Sequence, residues 1–357
     1  MSRLESHFRD RIAWTLDRSK PVPDHFGDPM KEVAIMQSEV ALLDFSHYEC
    51  LVLTGEERIS LLGGLVTNQV KNVTATRSIY TAHLTPQGRF LWDFTIIAEE
   101  NRLLLITEPT EARALAQRLG LFLLRAKVGI EEQTDAWGLL GIVGPKALPL
   151  LQSLFPTLSL TDAPLGATWQ LENRVHLWLD PRHADFGWRL LVPVESLPAW
   201  WDRLAQQIPP AGFTAWEAYR IRQGLPRGGN EFIPETTLPL ESGLLELHGV
   251  DFAKGCYVGQ ETTTRTHHRG TLKKRLFSLM LSNSDEVAPG TPILLPNGKE
   301  SGILTSLSPL PESGGRVGLG ILHVATATPK EGHTLTLANH PVTARKPEWA
   351  LWGDTSV

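Results

Sequence analysis

The segment Lys254-Gly255-Cys256-Tyr257-Val258-Gly259-Gln260-Glu261, followed by Arg265-Thr266-His267-His268-Arg269-Gly270, carries the densest set of reactive side chains in the chain. Glycines on either side of Cys256 argue against a regular core strand and for backbone that turns tightly or is approached closely. Lys254, Arg265 and Arg269 would lower the pKa of a nearby thiol, and a helix starting near Val258 would add its dipole. A thiolate so placed is both a nucleophile and a soft-metal ligand, and His267 and His268 could ligate or donate beside it. The competing account is a cysteine buried as a small hydrophobe, the commoner fate of a lone cysteine. The residue types leave both open. For the two histidines a surface or hydrogen-bonding role is the commoner one, and Cys50, beside a strand, reads as core.

Asp93, between Trp92 and Phe94, is a carboxylate in a strand-like run. Alternation puts it on the face opposite its aromatic neighbours, which on pattern alone favours a polar face. In Asp180-Pro181-Arg182 and Gly187-Trp188-Arg189, either arginine could pair an anionic group in bidentate fashion, and Trp188 could stack on a flat ring. Ordinary strand residues with exposed arginines fit that text equally. Glu217 and Arg220, three apart on a helix, read as a surface salt bridge. There is no Walker A loop, no convincing G-x-G-x-x-G after a strand, no C-x-x-C and no H-E-x-x-H. Kinase, zinc-hydrolase and dehydrogenase chemistry lack support.

The elements that position these residues read as follows. The first thirty residues suggest a helix and an irregular connection broken by Pro21, Pro23, Gly27 and Pro29. A helix is expected over Met30–Leu42, a strand over Glu49–Thr54 and a helix over Glu56–Val66. Strands Ile79–Leu84 and Arg89–Ile97 flank a Pro-Gln-Gly turn, before a strand Arg102–Thr107 and a helix Thr110–Leu124. Strands near Ala136–Val143, Val175–Leu179 and Gly187–Val192 alternate with helices after Gly144-Pro145 and over Glu195–Ile208. That β-α-β-β-α order is ferredoxin-like. A helix Ala215–Gln223 is closed by Gly224. Residues 225–245 form a long Pro- and Gly-rich loop, and from Thr271 short β-like runs broken by turn pairs suggest a barrel.

Composition bounds the rest. With 357 residues, 42% apolar and 20% charged, the chain has the makings of two or three packed domains. Net charge is −5, so no overall positive field draws it to nucleic acid or an anionic membrane. Two cysteines cannot build a disulfide scaffold or a four-thiolate site, and they suit a reducing compartment. Met1-Ser2-Arg3-Leu4-Glu5 lacks the apolar core of a secretory signal, and no run approaches the ~20 residues of a membrane span. A cytoplasmic location is therefore expected. Eleven tryptophans against four tyrosines supply core, or walls for a flat ligand.

Lys254–Glu261 matches the K-G-C-[FY]-x-G-Q-E signature of the YgfZ family, folate-binding proteins linked to iron–sulfur cluster assembly and related to the glycine cleavage T-protein, an aminomethyltransferase. Leu43–His47, Leu65–Val70, Thr85–Arg89, Asp180–Arg182, Gly187–Leu191, Arg222–Pro226 and Leu238–Glu241 are similar to family text, so the likeness runs from Val40 to Leu276. Thr264–Gly270 and Leu238–Glu241 look more like the mitochondrial-type branch than the enterobacterial one. The resemblance implies an α+β, three-domain cloverleaf like the T-protein. Residues 1–130, completed by 212–268, would form an α+β domain, 131–211 a ferredoxin-like domain and 269–357 a β-barrel. It implies tetrahydrofolate in a central channel, with Cys256 as the functional thiol near it. Asp93 falls where the T-protein keeps its catalytic carboxylate, and the donor edge of a pterin would suit it. Folate contacts are expected from Asp93, Arg182, Trp188, Arg189, Glu241, Lys254, Tyr257 and Gln260. Three functions follow as expectations. The first is an assembly or maintenance factor for [4Fe–4S] proteins, with Cys256 as a redox thiol or a transient ligand to a cluster shared with an assembly or client protein. The second is a folate-dependent aminomethyltransferase or demethylase using Asp93. The third, weaker one is a tRNA-modification accessory acting indirectly, without direct nucleic-acid contact.

Overall fold

The structure is a computed structural model that describes residues 4–8, 12–268, 272–283, 285–327 and 334–352. Met1–Arg3, Arg269 and Gly270, which entered the readings above, lie outside the described residues. The chain forms two compact units, one from residues 1–83, 92–216 and 248–257, the other from 84–91, 217–247 and 258–357.

The first unit carries two sheets and a hairpin. Five strands run in the order Ile79–Leu84, Phe90–Glu99, Arg102–Thr107, Glu49–Thr54 and Gly129–Glu132. Leucine and β-branched residues fill Leu51–Leu53 and Leu103–Leu105, which are buried on both faces of that sheet. Six strands form the other sheet, in the order Thr168–Gln170, His176–Leu179, Trp188–Pro193, Trp137–Val143, Ala41–Asp44 and Pro210–Ala211. Within it, Trp137–Val143, helix Ala147–Leu154, the strands His176–Leu179 and Trp188–Pro193, and helix Leu197–Ala205 match expected elements. The short strand Thr168–Gln170 stands between the first helix and His176, so the expected β-α-β-β-α order becomes β-α-β-β-β-α. One face of this sheet packs Leu140, Ile142, Leu190 and Val192 against Leu151, Trp201 and Leu204 of the two helices.

Three expectations are corrected. The helix foreseen near the N-terminus is four residues long, Glu5–Phe8, and a hairpin Ala13–Asp17/Lys20–His25 follows it. Pro21 and Pro23 read as breakers, yet both strands of a two-stranded ribbon are edges, where proline is tolerated. Arg18 and Ser19 close the turn with φ of 46° and 70°. The helix foreseen over Met30–Leu42 is Pro29–Ser38, and Ala41–Asp44 is instead a fully buried strand paired with Trp137–Val143. That pairing spans about a hundred residues of sequence, beyond any local signal.

The second unit holds a closed barrel of Lys274–Leu281, Arg316–His323, Glu300–Leu307, Pro292–Leu294, Leu335–Leu337 and His340–Arg345. Phe277, Leu279 and Leu281 alternate into its core with Leu304, Leu322 and Val342. Helix Phe213–Arg222 ends as expected at Gly224, whose φ is +73°, and Leu225 N–H bonds back to Arg220 O at 2.8 Å. The foreseen surface pair Glu217–Arg220 is a correction, because Arg220 is fully buried. Its guanidinium bonds Glu217 at 2.6 and 2.7 Å and Glu231 at 3.2 Å, and Glu231 also accepts from Thr305 at 3.1 Å. The loop after Gly224 covers the helix and brings Glu231 with it, so the arginine is paired as it is desolvated.

Gly88 and Gly259 face one another within this unit. A Cβ on Gly259 (φ +84°) would lie 2.6 Å from Thr85 O and 3.0 Å from Gly88 Cα. Gly290 has a similar φ of +88° but nothing within 4 Å of its Cβ position. Alanine at Gly290 therefore costs about 1 kcal/mol of left-handed strain, while alanine at Gly259 adds a backbone clash and costs about 2–4 kcal/mol. Urea unfolding of the two variants measures the difference, and equal losses would remove the clash from the account.

Candidate functional site

The loop that carries Cys256 is fastened to the segment Gly63–Asn68. Asn68 Nδ2 donates to His248 O and to Tyr80 O, both at 2.7 Å. Thr67 Oγ1 donates to Gly249 O at 2.6 Å, and Asp251 N–H to Thr67 O at 3.1 Å. Lys254, 7% exposed, then turns inward. Its ammonium donates to Gly63 O at 2.7 Å and to Val66 O, and lies 4.6 Å from the centre of the Tyr257 ring. Burial pushes the Lys254 pKa down to about 8, with Asp251 acting in the opposite sense. With 254 and 257 facing in, Gly255 has open space at its Cβ position and Cys256 is exposed. Among the described residues Cys256 makes no hydrogen bond or ion pair. The sulfur is available, while the lysine beside it in sequence is engaged by carbonyls. Cys50, by contrast, is buried in its strand.

A second group of polar side chains converges between the two sheets of the first unit. Asp180 accepts a two-pronged pair from Arg182, Nε at 2.9 Å and Nη2 at 2.8 Å, plus the Arg182 N–H at 3.1 Å. The Arg182 guanidinium lies 3.6 Å from the Phe186 ring centre and 5.3 Å from that of Tyr80. Arg189 Nη2 sits 3.8 Å from Asp180 Oδ2, and its Nη1 donates to Phe186 O at 2.5 Å. Sheet register makes room for it. Trp178, Arg189 and Gly141 are directly opposite one another on three neighbouring strands. The missing side chain at Gly141 is replaced by the Phe45 ring, over which the Arg189 guanidinium lies at 4.7 Å.

Asp93 faces the same space. Tyr80 OH donates to its Oδ2 at 2.7 Å. Extending the pairing Phe94↔Thr107 by one step sets Glu108 opposite Asp93, two carboxylates side by side. Burial, then the Glu108 charge, raise the Asp93 pKa to about 6, against the pull of Tyr80 and Arg182. Tyr80 itself is pushed well above its usual value, first by burial and then by Asp93. Asp180 goes the other way, held below the usual range because Arg182 and Arg189 outweigh its burial. These groups line a narrow cavity of about 30 Å³ together with Tyr48, Glu108 and Trp178. That is room for one water-sized group. Trp178 is 1% exposed, and its indole N–H is buried without a hydrogen-bond partner.

Of the residues singled out from sequence, Asp93, Arg182 and Arg189 meet in this cavity. Trp188 does not line it. It is buried in the helix-covered core, 5.7 Å from Trp169, because successive residues of a strand face opposite sides and Arg189 takes the cavity side. Lys254, Cys256 and Tyr257 belong to the anchored loop. Glu241 and Gln260 lie in the second unit. Glu241 is held above its usual pKa by burial while accepting the Leu238 N–H at 3.4 Å, and Gln260 opens the helix Gln260–His268. Tyr80, Glu108, Trp178, Thr67 and Asn68 were not foreseen as site residues. Trp178 and Glu108 become visible only once strand register is known. Among the described residues no three His, Cys, Asp or Glu side chains lie close enough to hold a metal ion, and no helix is long and apolar enough to cross a membrane.

An α+β first unit with a buried carboxylate–arginine cavity, joined in one chain to a closed barrel, is the arrangement of GCVT-type chains that carry a C-terminal barrel. The chain belongs to the GCVT-like family: a GCVT N-terminal domain matches residues 21–251 and a CAF17 C-terminal beta-barrel domain matches residues 273–351. It is similar to the mitochondrial iron–sulfur cluster assembly factor IBA57 of Mus musculus, 31% identical over 316 residues covering 83% of this chain and 81% of that protein. The Homo sapiens protein of the same name is 31% identical over 294 residues, covering 76% and 74%. The fold is that of the glycine cleavage system aminomethyltransferase T of Bartonella henselae, with a TM-score of 0.82, 17% identity and coverage of 98% and 97%. The expected T-protein-like fold and C-terminal barrel are thus found. The expected cytoplasmic location is corrected: these relatives are mitochondrial and point away from the cytoplasm. Two free cysteines signal a reducing compartment, and the mitochondrial matrix is one as much as the cytosol is. The relatives carry assembly-factor names rather than the YgfZ name, and none of them is named for tRNA modification.

The cavity makes stability depend on pH through Asp93. A carboxyl raised from 3.8 to about 6 keeps its proton longer in the folded state. Its favourable contribution is complete below pH 3.8 and is lost as pH rises through about 6, an effect of roughly 3 kcal/mol. Asp93→Asn, which keeps the shape and the acceptor for Tyr80, is therefore expected to be more stable than wild type by about 2–3 kcal/mol at pH 7.5, and the gap closes towards pH 4. Denaturant midpoints measured across that range check the sign. A wild type that is the more stable at pH 7.5 would show the carboxylate to be better paired than described.

Proposed function

We propose that this chain is a mitochondrial iron–sulfur cluster assembly factor that offers the Cys256 thiolate to a cluster shared with a partner protein, and that it binds a reduced folate at the Asp93 cavity. The exposure of Cys256 directly after a segment, His248 to Lys254, that is anchored to Gly63–Asn68 carries this reading. The names of the mouse and human relatives support the assembly role. One thiolate cannot hold a stable cubane, so the partner, an assembly or client protein, supplies the remaining ligands and the cluster is cargo rather than a resident group.

For folate, the T-protein-like fold supplies the precedent, and the cavity supplies matching polar groups. The Asp93 carboxylate accepts and the unpartnered Trp178 N–H donates, the pairing that a ring edge bearing both an amine and a carbonyl would satisfy. Arg189 adds positive charge alongside. A cavity of about 30 Å³ admits a bicyclic ring only as side chains draw back, so binding is coupled to local rearrangement. Bound folate would supply the one-carbon or redox chemistry, and these residues would orient it. Aminomethyl transfer by this chain is not favoured beside relatives named as assembly factors.

Cys256→Ser separates the roles. The variant is expected to keep its thermal midpoint within about 2 °C and its tetrahydrofolate affinity, read by tryptophan quenching, within about twofold. In cells lacking the endogenous factor, it is expected to restore cluster-dependent enzyme activity at least about tenfold less well than wild type. Full rescue by the serine variant would end the thiolate role, and loss of folding would return Cys256 to a structural one.

A further inference from the structure

The outer wall of the barrel carries a cavity that the Cys256 and Asp93 readings do not use. Strand Lys274–Leu281 alternates, so Phe277, Leu279 and Leu281 point into the core and Ser278 and Met280 point out. Ser278 pairs directly with Arg345 on strand His340–Arg345, which sets a hydroxyl and a guanidinium side by side on the outer face. Met280, 38% exposed, is next along the same row. The end of helix Phe213–Arg222 forms the facing wall with Arg222 and Gln223, and together these residues line a cavity of about 330 Å³. Its geometry is fixed: Trp349 Nε1 donates to Gly224 O at 3.1 Å, and a Cβ on Gly224 would lie 2.9 Å from Pro347 Cβ.

Charge bookkeeping decides the ligand. Arg222 is neutralised by Glu312 at 2.8 Å, and the remaining lining charges Lys346, whose ammonium lies 6.0 Å from the Trp352 ring centre, and the exposed Glu348 cancel in the count. That leaves Arg345, which has no acidic partner among the described residues. Ser278 and Gln223 likewise have side-chain donors without protein partners among those residues. A cavity of this size with one uncompensated guanidinium, two neutral donors and an apolar Met280 and Val317 floor matches a monoanion on an apolar body.

We propose that this cavity is a binding site for a carboxylate carried on a short apolar chain, either a free organic acid or the C-terminus of a peptide. It does not rest on the assembly-factor reading. The chain has four methionines, so [13C]methyl-methionine labelling of the full-length protein gives few signals, and Met280→Leu assigns the relevant one. Sodium hexanoate is expected to move the Met280 methyl saturably, while hexanol and hexylamine at equal concentration do not. Arg345→Gln, at an exposed position, is expected to keep the thermal midpoint within about 2 °C and to weaken hexanoate at least about tenfold. Acetyl-Ala-Leu-Ala-Leu with a free carboxylate, compared with its amide, separates the sources: preference for the free-acid peptide over hexanoate identifies a chain terminus, and the reverse a small acid. No saturable shift with either carboxylate, equal binding of hexanol, or unchanged affinity in Arg345→Gln would overturn the proposal.

Discussion

Asp180 takes the cations of its neighbourhood, and the chemistry of the cavity depends on that. A buried carboxylate is tolerable only with close counter-charge. Asp180 gets it from a two-pronged Arg182 and a more distant Arg189, and stays ionised. Asp93, lining the same space, is left with a tyrosine hydroxyl and a facing Glu108, and its pKa rises instead. Two carboxylates a few side chains apart therefore titrate in opposite senses. The one that keeps its proton longest is the one a ligand could meet as either acceptor or donor near neutral pH. Were Arg182 to turn from Asp180 to Asp93, the roles would exchange, so the fork geometry sets the assignment.

The cysteine loop follows a similar rule with a different ion. Burying an ammonium without acceptors is costly, so Lys254 enters only because Gly63 O and Val66 O are presented at the end of a short helix. Closing that contact buries 254 and 257 and leaves 255 and 256 outside. The lysine is in effect a hinge pin for the sulfur, not a base for it. Thr67 and Asn68 fasten the preceding residues, which explains why the Leu65–Val70 stretch accompanies the cysteine signature in the sequence.

Much of this was legible and the reasons for the rest are physical. Glu49–Thr54, Arg102–Thr107, the strands Trp137–Val143, His176–Leu179 and Trp188–Pro193 with their two helices, and the barrel announce themselves because each is encoded by local periodicity and turn residues, whereas the three-residue strand Thr168–Gln170 is too short to do so. Ala41–Asp44 was hidden because its partner strand is remote, and the N-terminal ribbon because proline was weighed as in an interior strand. Among site residues, pattern alone favoured a polar face for Asp93, and the structure instead buries it at a cavity that Phe94 also lines. Trp188 and Arg189 were both assigned to a ligand although consecutive strand residues cannot share a face. Trp178 and Glu108 owe their places to register, which no single strand reveals.

The distribution of sulfur constrains how an assembly factor of this kind would work. Cys50 is sealed in the five-stranded sheet and Cys256 stands exposed, so on the proposed reading the chain would offer one thiolate to a cluster. A ligand set completed by another protein forms when the two chains meet and is undone when they part. The thiolate's contribution to cluster affinity is then also its contribution to docking, and strengthening one strengthens the other. A fixed lysine anchor with an unanchored sulfur suits that coupling: the loop holds the sulfur outward before contact, so little ordering is required on association, while the absence of nearby ligands lets the cluster leave with its partner.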